Sequence, residues 1–300
     1  MSDRLDVSTE TVARLVAEQF AHWADLPVRP VRHSGWDNRS FRLGETMLVR
    51  LPSAAGYVAQ VEKEHRWLPC LAKRLPLPIP EPLVKGKPSQ DYPWPWSIYR
   101  WLDGDPLALQ LPETNLKLLA QNVAAFLQAL HAIDASKGPP AGAHNFHRGG
   151  SLLVYDAEAR AAIESVSDEV DAELARTIWD VALASRWRGE PVWVHGDIAE
   201  GNLLMQGGRL CAVIDFGSSG VGDPASDLIL AWNVLDAESR AVFREALPLD
   251  VATWQRGRGW ALWKAMIVLA AERGRDEKLS EWSRRTIREV MADHVENNGS

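Results

Sequence analysis

At Asp103-Gly104-Asp105-Pro106 the chain changes period. On the N-terminal side, Ser8 reads as an N-cap and Val12, Leu15, Val16, Phe20 and Trp23 recur at helical spacing, which predicts one amphipathic helix. Residues 28–51, VRPVRHSGWDNRSFRLGETMLVRL, are short β-favouring runs broken at Ser34 to Asn38 and at Gly44-Glu45, which predicts three antiparallel strands. A helix over VEKEHRWLPCLAKRL follows, and then PLPIPEPLVKGKP, held extended because successive prolines fix φ and remove backbone donors. The last strand before the turn is PWSIYRWL. Beyond it, Leu116, Leu119, Val123, Phe126, Leu127 and Leu130 form one apolar stripe, the mark of a long buried helix. VSDEVDAELARTIWDVALASRW reads as another helix, VWVH and RLCAVIDF as two short strands around Gln206-Gly207-Gly208, and everything after Asp227 as helical. The expectation is an α+β chain: a small antiparallel-sheet lobe over residues 1–100, then a larger, mainly helical lobe over 101–300 that contains one hairpin.

Composition narrows the functions such a chain can carry. With 300 residues, 46% of them hydrophobic and 24% charged, it can bury a sizeable core. A net charge of −7 and no long basic run exclude nucleic acid as a partner and suit a cationic small molecule instead. Cys70 and Cys211 lack metal-ligand neighbours and disulfide density, so they read as buried, reduced thiols. No apolar stretch approaches the roughly 20 residues of a membrane span, and MSDRLDVSTE has no apolar leader segment. A cytoplasmic protein is expected, with no membrane association and no obligate protein partner evident.

The stretch VHGDIAEGNLLMQGGRLCAVIDFG, Val194 to Gly217, carries the chemistry. Moving a phosphoryl group from a nucleotide to a hydroxyl needs a carboxylate to take the hydroxyl proton, and Mg²⁺ to neutralise phosphate oxygens. Asp197, just past Gly196 at a strand end, can be the base; Asn202 and Asp215 offer an amide oxygen and a carboxylate to the metal. A single Asp is more often a cap or turn former, but here H-G-D, N, I-D-F-G and G-D-P-A-S-D-L follow one another in order. His195 reads as a group that holds the loop through hydrogen bonds rather than one that transfers a proton.

These motifs, His195-Gly196-Asp197, Asn202, Ile214-Asp215-Phe216-Gly217 and Gly222-Asp223-Pro224 through Asp227-Leu228, resemble the aminoglycoside phosphotransferase family. That family has a bilobal protein-kinase-like fold and includes macrolide phosphotransferases and choline and fructosamine kinases. The resemblance runs in order from about residue 28 to 235 and is sharpest over 193–228. It implies ATP or GTP as donor, Asp197 as catalytic base, Asn202 and Asp215 as Mg²⁺ ligands, and Asp227 as a structural acid behind the catalytic loop. Asp223 is expected to be structural too, its turn stiffened by Pro224.

The N-terminal lobe follows the pattern with one departure. A Gly-containing hairpin over the phosphates would be SGWDNRSF, with Gly35 allowing close backbone approach and Asn38 as a polar tip; an ordinary hairpin turn is the alternative. Along TMLVRLP, Met47, Val49 and Leu51 alternate with Leu48 and Arg50, and Arg50 stands where the family usually has lysine. Its partner on the next helix would be Glu64, with Glu62 second. The hinge would be Ser97 to Trp101, with backbone groups of Tyr99 and Trp101 bonding the purine and Leu48 and Ile214 sandwiching it.

The acceptor is written less clearly. Glu169 and Glu173, spaced i,i+4, could hold ammonium groups or simply begin a solvated helix. Among 14 tryptophans, Trp232 could stack on a sugar, whereas Trp260 and Trp263 keep the helical spacing of core residues. The leading expectation is a hydroxylated small molecule of the aminoglycoside type, with a macrolide or a metabolic alcohol as alternatives. Two other classes remain open at this stage: a nucleotide-binding pseudokinase without turnover, and a metal-dependent hydrolase using His195, Asp197 and Asp215.

Overall fold

A computed structural model describes residues 4–31, 35 and 37–298. The chain divides into two compact units, one formed by residues 1–104 and 211–217, the other by 105–210 and 218–300.

The first unit begins with α1 (Thr9–Gln19), where the Ser8 side chain accepts the Thr11 N–H and fixes the helix start. Strands β1 (Val28–Pro30), β2 (Asn38–Leu43) and β3 (Met47–Pro52) form an antiparallel meander, as the alternating sequence predicts. Helix α2 (Val58–Leu71) follows, then β4 (Pro82–Gly86) and β5 (Trp96–Arg100). Among the described residues the sheet order is β1-β2-β3-β5-β4, antiparallel throughout. One face is apolar because strand residues alternate sides: Phe41, Leu43, Met47, Val49, Leu51, Trp96 and Ile98 cluster with Val12, Leu15 and Val16 of α1. Removing one such side chain, as in Leu15→Ala, costs about 2–5 kcal/mol by lost transfer energy and cavity formation.

The second unit opens with β6 (Asp105–Pro106) and α3 (Leu116–His131), capped by Asn115 and buried along its predicted stripe. Then come α4 (Asp156–Ser165), α5 (Ala172–Ala184), β7 (Val192–Val194), β8 (Leu203–Gln206) and β9 (Arg209–Val213). In β9, at Cys211, the chain passes into the first unit; after Gly217 it returns as β10 (Gly220–Gly222), α6 (Leu230–Asn233), α7 (Ala237–Ala246), α8 (Val251–Glu272) and α9 (Glu277–Asn298). Helix α8 packs against α4, α5 and α9 and buries residues around its whole circumference. No helix among the described residues is long and apolar enough to cross a membrane.

Four sequence expectations need correction. Strand β7 does not flank the glycine turn: it pairs with β10, Val194 opposite Gly220, and the strand entering Gly207-Gly208 is β8. Both turn glycines have positive φ, 58° and 73°, which a side chain at either place would oppose. The helix expected over 166–187 starts only at Ala172, because the Asp171 carboxylate caps the Leu174 N–H. Glu169 therefore precedes the helix, and the i,i+4 pairing with Glu173 does not form. Cys70 is exposed rather than buried, since α2 turns Leu68 and Leu71 inward and leaves Cys70 between them on the solvent side; Cys211 is half-buried.

Candidate active site

The first unit assembles an ionic cluster from β3, α2 and the segment after β9. Strand alternation turns Arg50 away from the buried Val49 and Leu51. Its Nη2 lies 2.8 Å from Asp215 Oδ1, and its Nη1 lies 3.4 Å from each Glu64 oxygen. The cluster is shielded, with side-chain exposures of 11% for Arg50, 4% for Glu64 and 29% for Asp215. Burial alone would lower the Arg50 pKa; the carboxylates of Glu64 and Asp215 outweigh it and hold the guanidinium above the ordinary arginine value. Glu62 is not the partner: it sits at the surface beside Lys85. Asp215 has φ 66°, a left-handed conformation costing a non-glycine residue about 1–3 kcal/mol, which the Arg50 contact and the surrounding chain must hold in place.

Tyr99 enters this cluster through its side chain. Its hydroxyl donates to Glu64, and burial together with that carboxylate lifts the phenol pKa well above its ordinary value. In the sheet Tyr99 stands opposite both Leu48 and Pro82, and the Trp101 N–H donates to the Thr46 carbonyl at 2.8 Å. That Trp101 donor is thus spent inside the sheet and is not open to a purine. Leu48 and Ile214 are half-buried. Gly35 is exposed, and no described residue comes within 4 Å of a Cβ placed there, but Ser34 and Trp36 of the expected phosphate hairpin lie outside the described residues. Asn38 is no tip: it starts β2 opposite Pro52 and is buried.

One residue of this unit was missed from sequence. Lys63 of α2 donates to the Gly217 carbonyl at 2.6 Å, and burial lowers its pKa to about 8 against the pull of Glu64 and Asp215. Its signal was position: it adjoins the Val61, Glu64, Leu68, Leu71 face that α2 turns inward.

The second unit builds the loop after β7. The fully buried Asp227 carboxylate accepts two successive backbone donors, His195 N–H at 3.0 Å and Gly196 N–H at 2.6 Å. The His195 Nδ1 accepts the Asp197 N–H at 3.2 Å, and Asn202 Nδ2 donates to both the Asp197 carbonyl and its Oδ2 at 2.9 Å. Asp197 is half-buried, with its backbone pinned on both sides. Because Asn202 spends its amide nitrogen on Asp197, its Oδ1 remains an acceptor. Asn202 Oδ1 and the Asp215 carboxylate are hard oxygen donors, the type Mg²⁺ prefers. Asp223 caps the turn at Ala225 N–H and receives a two-pronged contact from Arg256, 2.6 and 3.2 Å, both side chains buried.

Two of the three expected acceptor residues are placed otherwise. Trp232 is 1% exposed and its Nε1 donates to Asp293, so it is core. Glu169 is engaged by Arg284 at 2.9 Å and Arg273 at 3.5 Å, so although both glutamates are exposed its charge is already paired. Trp260 and Trp263 are buried, in keeping with their spacing.

Residues 28–260 match the phosphotransferase enzyme family. The chain belongs to that family. Among curated proteins it is similar to an aminoglycoside 3'-phosphotransferase of Escherichia coli, 31% identical over 38% of this chain and 42% of that one. It is also similar to hygromycin-B 4-O-kinase of Escherichia coli, 27% identical over 73% of this chain and 64% of that one. The chain thus spans less than two thirds of the length of either relative. Its fold is that of the GDP complex of wild-type aminoglycoside 2'-phosphotransferase-IIIa, with a TM-score of 0.70 at 19% identity, covering 96% of this chain and all of that one. In this phosphotransferase family member, the five-stranded antiparallel sheet and the helical region after it are therefore family architecture.

Proposed function

We propose that this protein transfers the γ-phosphoryl group of ATP or GTP, with Mg²⁺, to a hydroxyl of an aminoglycoside-type molecule. The observation that carries the reading is the double acceptance by Asp227 of the His195 and Gly196 N–H groups, which, with Asn202, fixes where Asp197 stands. A carboxylate held this way suits a base that orients an acceptor hydroxyl in line and takes its proton. Asn202 and Asp215 are the proposed metal ligands; the metal, when bound, supplies charge neutralisation at the phosphate oxygens. Arg50, oriented by Glu64, offers its guanidinium to the same phosphates, where a planar fork can replace the lysine usual in the family. Most of the rate then comes from positioning and electrostatics.

The acceptor class follows from two supports: the curated relatives are aminoglycoside and hygromycin kinases, and the chain carries a net charge of −7, which favours a cationic substrate. A protein acting on such molecules is placed in the cytoplasm, where nucleotide is available. The test is a coupled nucleotide-turnover assay with Mg²⁺, ATP and GTP in parallel, against aminoglycosides, macrolides and metabolic alcohols. Turnover stimulated by an aminoglycoside and lost in Asp197→Ala supports the reading. Stimulation by another acceptor class changes the substrate, nucleotide binding without turnover identifies a pseudokinase, and phosphate release without a phosphorylated acceptor identifies a hydrolase.

A further inference from the structure

Helix α2 turns a polar stripe inward where an apolar one is the rule. Gln60, Lys63 and Glu64, spaced i, i+3 and i+4, lie on one face of the helix, and all three are buried, with exposures of 4%, 9% and 4%. Apolar side chains would cover the same area without desolvating an amide and two charges. The contacts they make account for the choice. Gln60 Nε2 donates to Asp37 at 3.1 Å, at the entry to β2, and the Gln60 amide packs so closely on Gly217 that a Cβ there would lie 2.7 Å from its Oε1. Lys63 Nζ donates to the Gly217 carbonyl at 2.6 Å. Glu64 lies 3.4 Å from Arg50 Nη1 through each of its oxygens, and Arg50 Nη2 lies 2.8 Å from Asp215.

The segment these contacts reach is short and strained. Asp215 has φ 66°, Phe216 is fully buried, and Gly217 follows. A left-handed aspartate persists only where its surroundings over-determine it. Helix α2 supplies that restraint at both ends, at Asp215 by way of Glu64 and Arg50 and at Gly217 directly through Lys63. The first hold is lost in use: once Asp215 ligates a metal and Arg50 meets phosphate oxygens, their mutual contact must open. The second is made to a carbonyl two residues along and survives both events.

We infer that Lys63 is a positioning residue for the metal site: its bond to the Gly217 carbonyl holds the 215–217 segment so that the Asp215 carboxylate is presented to the Mg²⁺ of a bound nucleotide. The inference rests on the phosphotransfer reading above and on its assignment of Asp215 as a metal ligand.

Nucleotide binding with and without metal tests it, and no turnover is needed. Calorimetric titration with the imidotriphosphate analogues of ATP and GTP, in excess Mg²⁺ and in EDTA, gives for each protein the factor by which Mg²⁺ tightens binding. Lys63→Met is expected to shrink that factor about 10–100-fold, the usual loss when a group that orients a metal ligand is removed, with the affinity in EDTA changed by less than about threefold. The direction separates position from charge, because deleting a cation within electrostatic reach of Asp215 would by itself favour Mg²⁺. Lys63→Arg, which can still donate to the carbonyl, recovers at least about a third of the wild-type factor. Leu68→Ala, at a buried position one turn beyond Glu64, lowers Tm and leaves the factor unchanged. A Lys63→Met protein that behaves like Leu68→Ala, with a lower Tm and an unchanged factor, overturns the inference, and so does a larger factor. Should Lys63→Met fail to fold, Lys63→Gln, neutral and one bond shorter, decides it by the same titrations. A wild type whose nucleotide binding Mg²⁺ does not tighten overturns the metal assignment of Asp215, and the phosphotransfer reading and this inference with it. An unchanged factor in Lys63→Met beside a wild type that Mg²⁺ does tighten overturns the inference alone.

Discussion

Replacing Asp227 by asparagine changes one oxygen to an amide nitrogen at the point where the loop geometry is set. The carboxylate accepts two backbone N–H groups, from His195 at 3.0 Å and Gly196 at 2.6 Å, with no access to water. Hydrogen bonds to a charged group contribute about 1.5–3 kcal/mol each, and asparagine has one acceptor atom to offer where two are used. One bond is lost outright, the other falls to neutral strength, and the new amide sets its own N–H against a buried backbone N–H. The expected cost is about 2–4 kcal/mol of stability, or roughly 4–16 °C in Tm at the 2–4 °C per kcal/mol of a domain this large. The rate should suffer more, because Asp197 follows directly on the two residues whose N–H groups this carboxylate holds, and a displacement on the order of 1 Å can cost about 100-fold. Thermal unfolding followed by circular dichroism and steady-state kinetics at saturating nucleotide read the two effects. An Asp227→Asn protein with wild-type Tm and kcat would refute the claim that this carboxylate sets the loop.

Three further outcomes are expected. Arg50→Lys should keep acceptor turnover with nucleotide KM raised by less than about tenfold, whereas Arg50→Met should raise it by more and leave Glu64 and Asp215 uncompensated; equal KM values in both variants would show that the charge is not used. Arg256→Met strands the buried Asp223 carboxylate and should cost about 3–5 kcal/mol in urea unfolding, with a large part recovered in Asp223→Asn/Arg256→Met; no recovery would place the loss elsewhere. His65 is half-buried beside Ser97, and desolvation followed by the charge of Lys85 depresses its pKa below 6.5. Below that value the unfolded chain takes the proton first, so the His65 contribution is intact above about pH 6.5 and is lost as pH falls through the folded pKa. His65→Phe should therefore flatten the acid limb of the stability profile relative to wild type, and identical limbs would contradict the shift.

Much of the architecture can be read in the letters, because period-2 and period-3.6 patterns record which face is buried. The stripe of α3 and the alternation of β3 come straight from that rule. The expectations that fail are those where a local pattern competes with a partner distant in sequence. RLCAV had to choose between VWV and LLMQ, and period alone does not say that Gly220–Gly222 would claim the former. Glu169 looked like a helix-start acid until Arg273 and Arg284, more than a hundred residues away, took its charge. Trp232 looked free for a ligand because nothing in the local sequence reveals Asp293. Within the candidate site, Asp197, Asn202 and Asp215 are conspicuous because their motifs follow one another in a single short stretch. Lys63 was hidden because a single buried cation leaves no periodic trace.

The measurement closest to the central claim is the mass of the acceptor after incubation with Mg²⁺, nucleotide and either wild-type protein or Asp197→Asn, both first shown to be folded and to bind nucleotide. A single added phosphate on an aminoglycoside with the wild type, and none with Asp197→Asn, is the predicted result. An equal yield of phosphorylated acceptor from both proteins would contradict the assignment of Asp197 as the base and the account built on it.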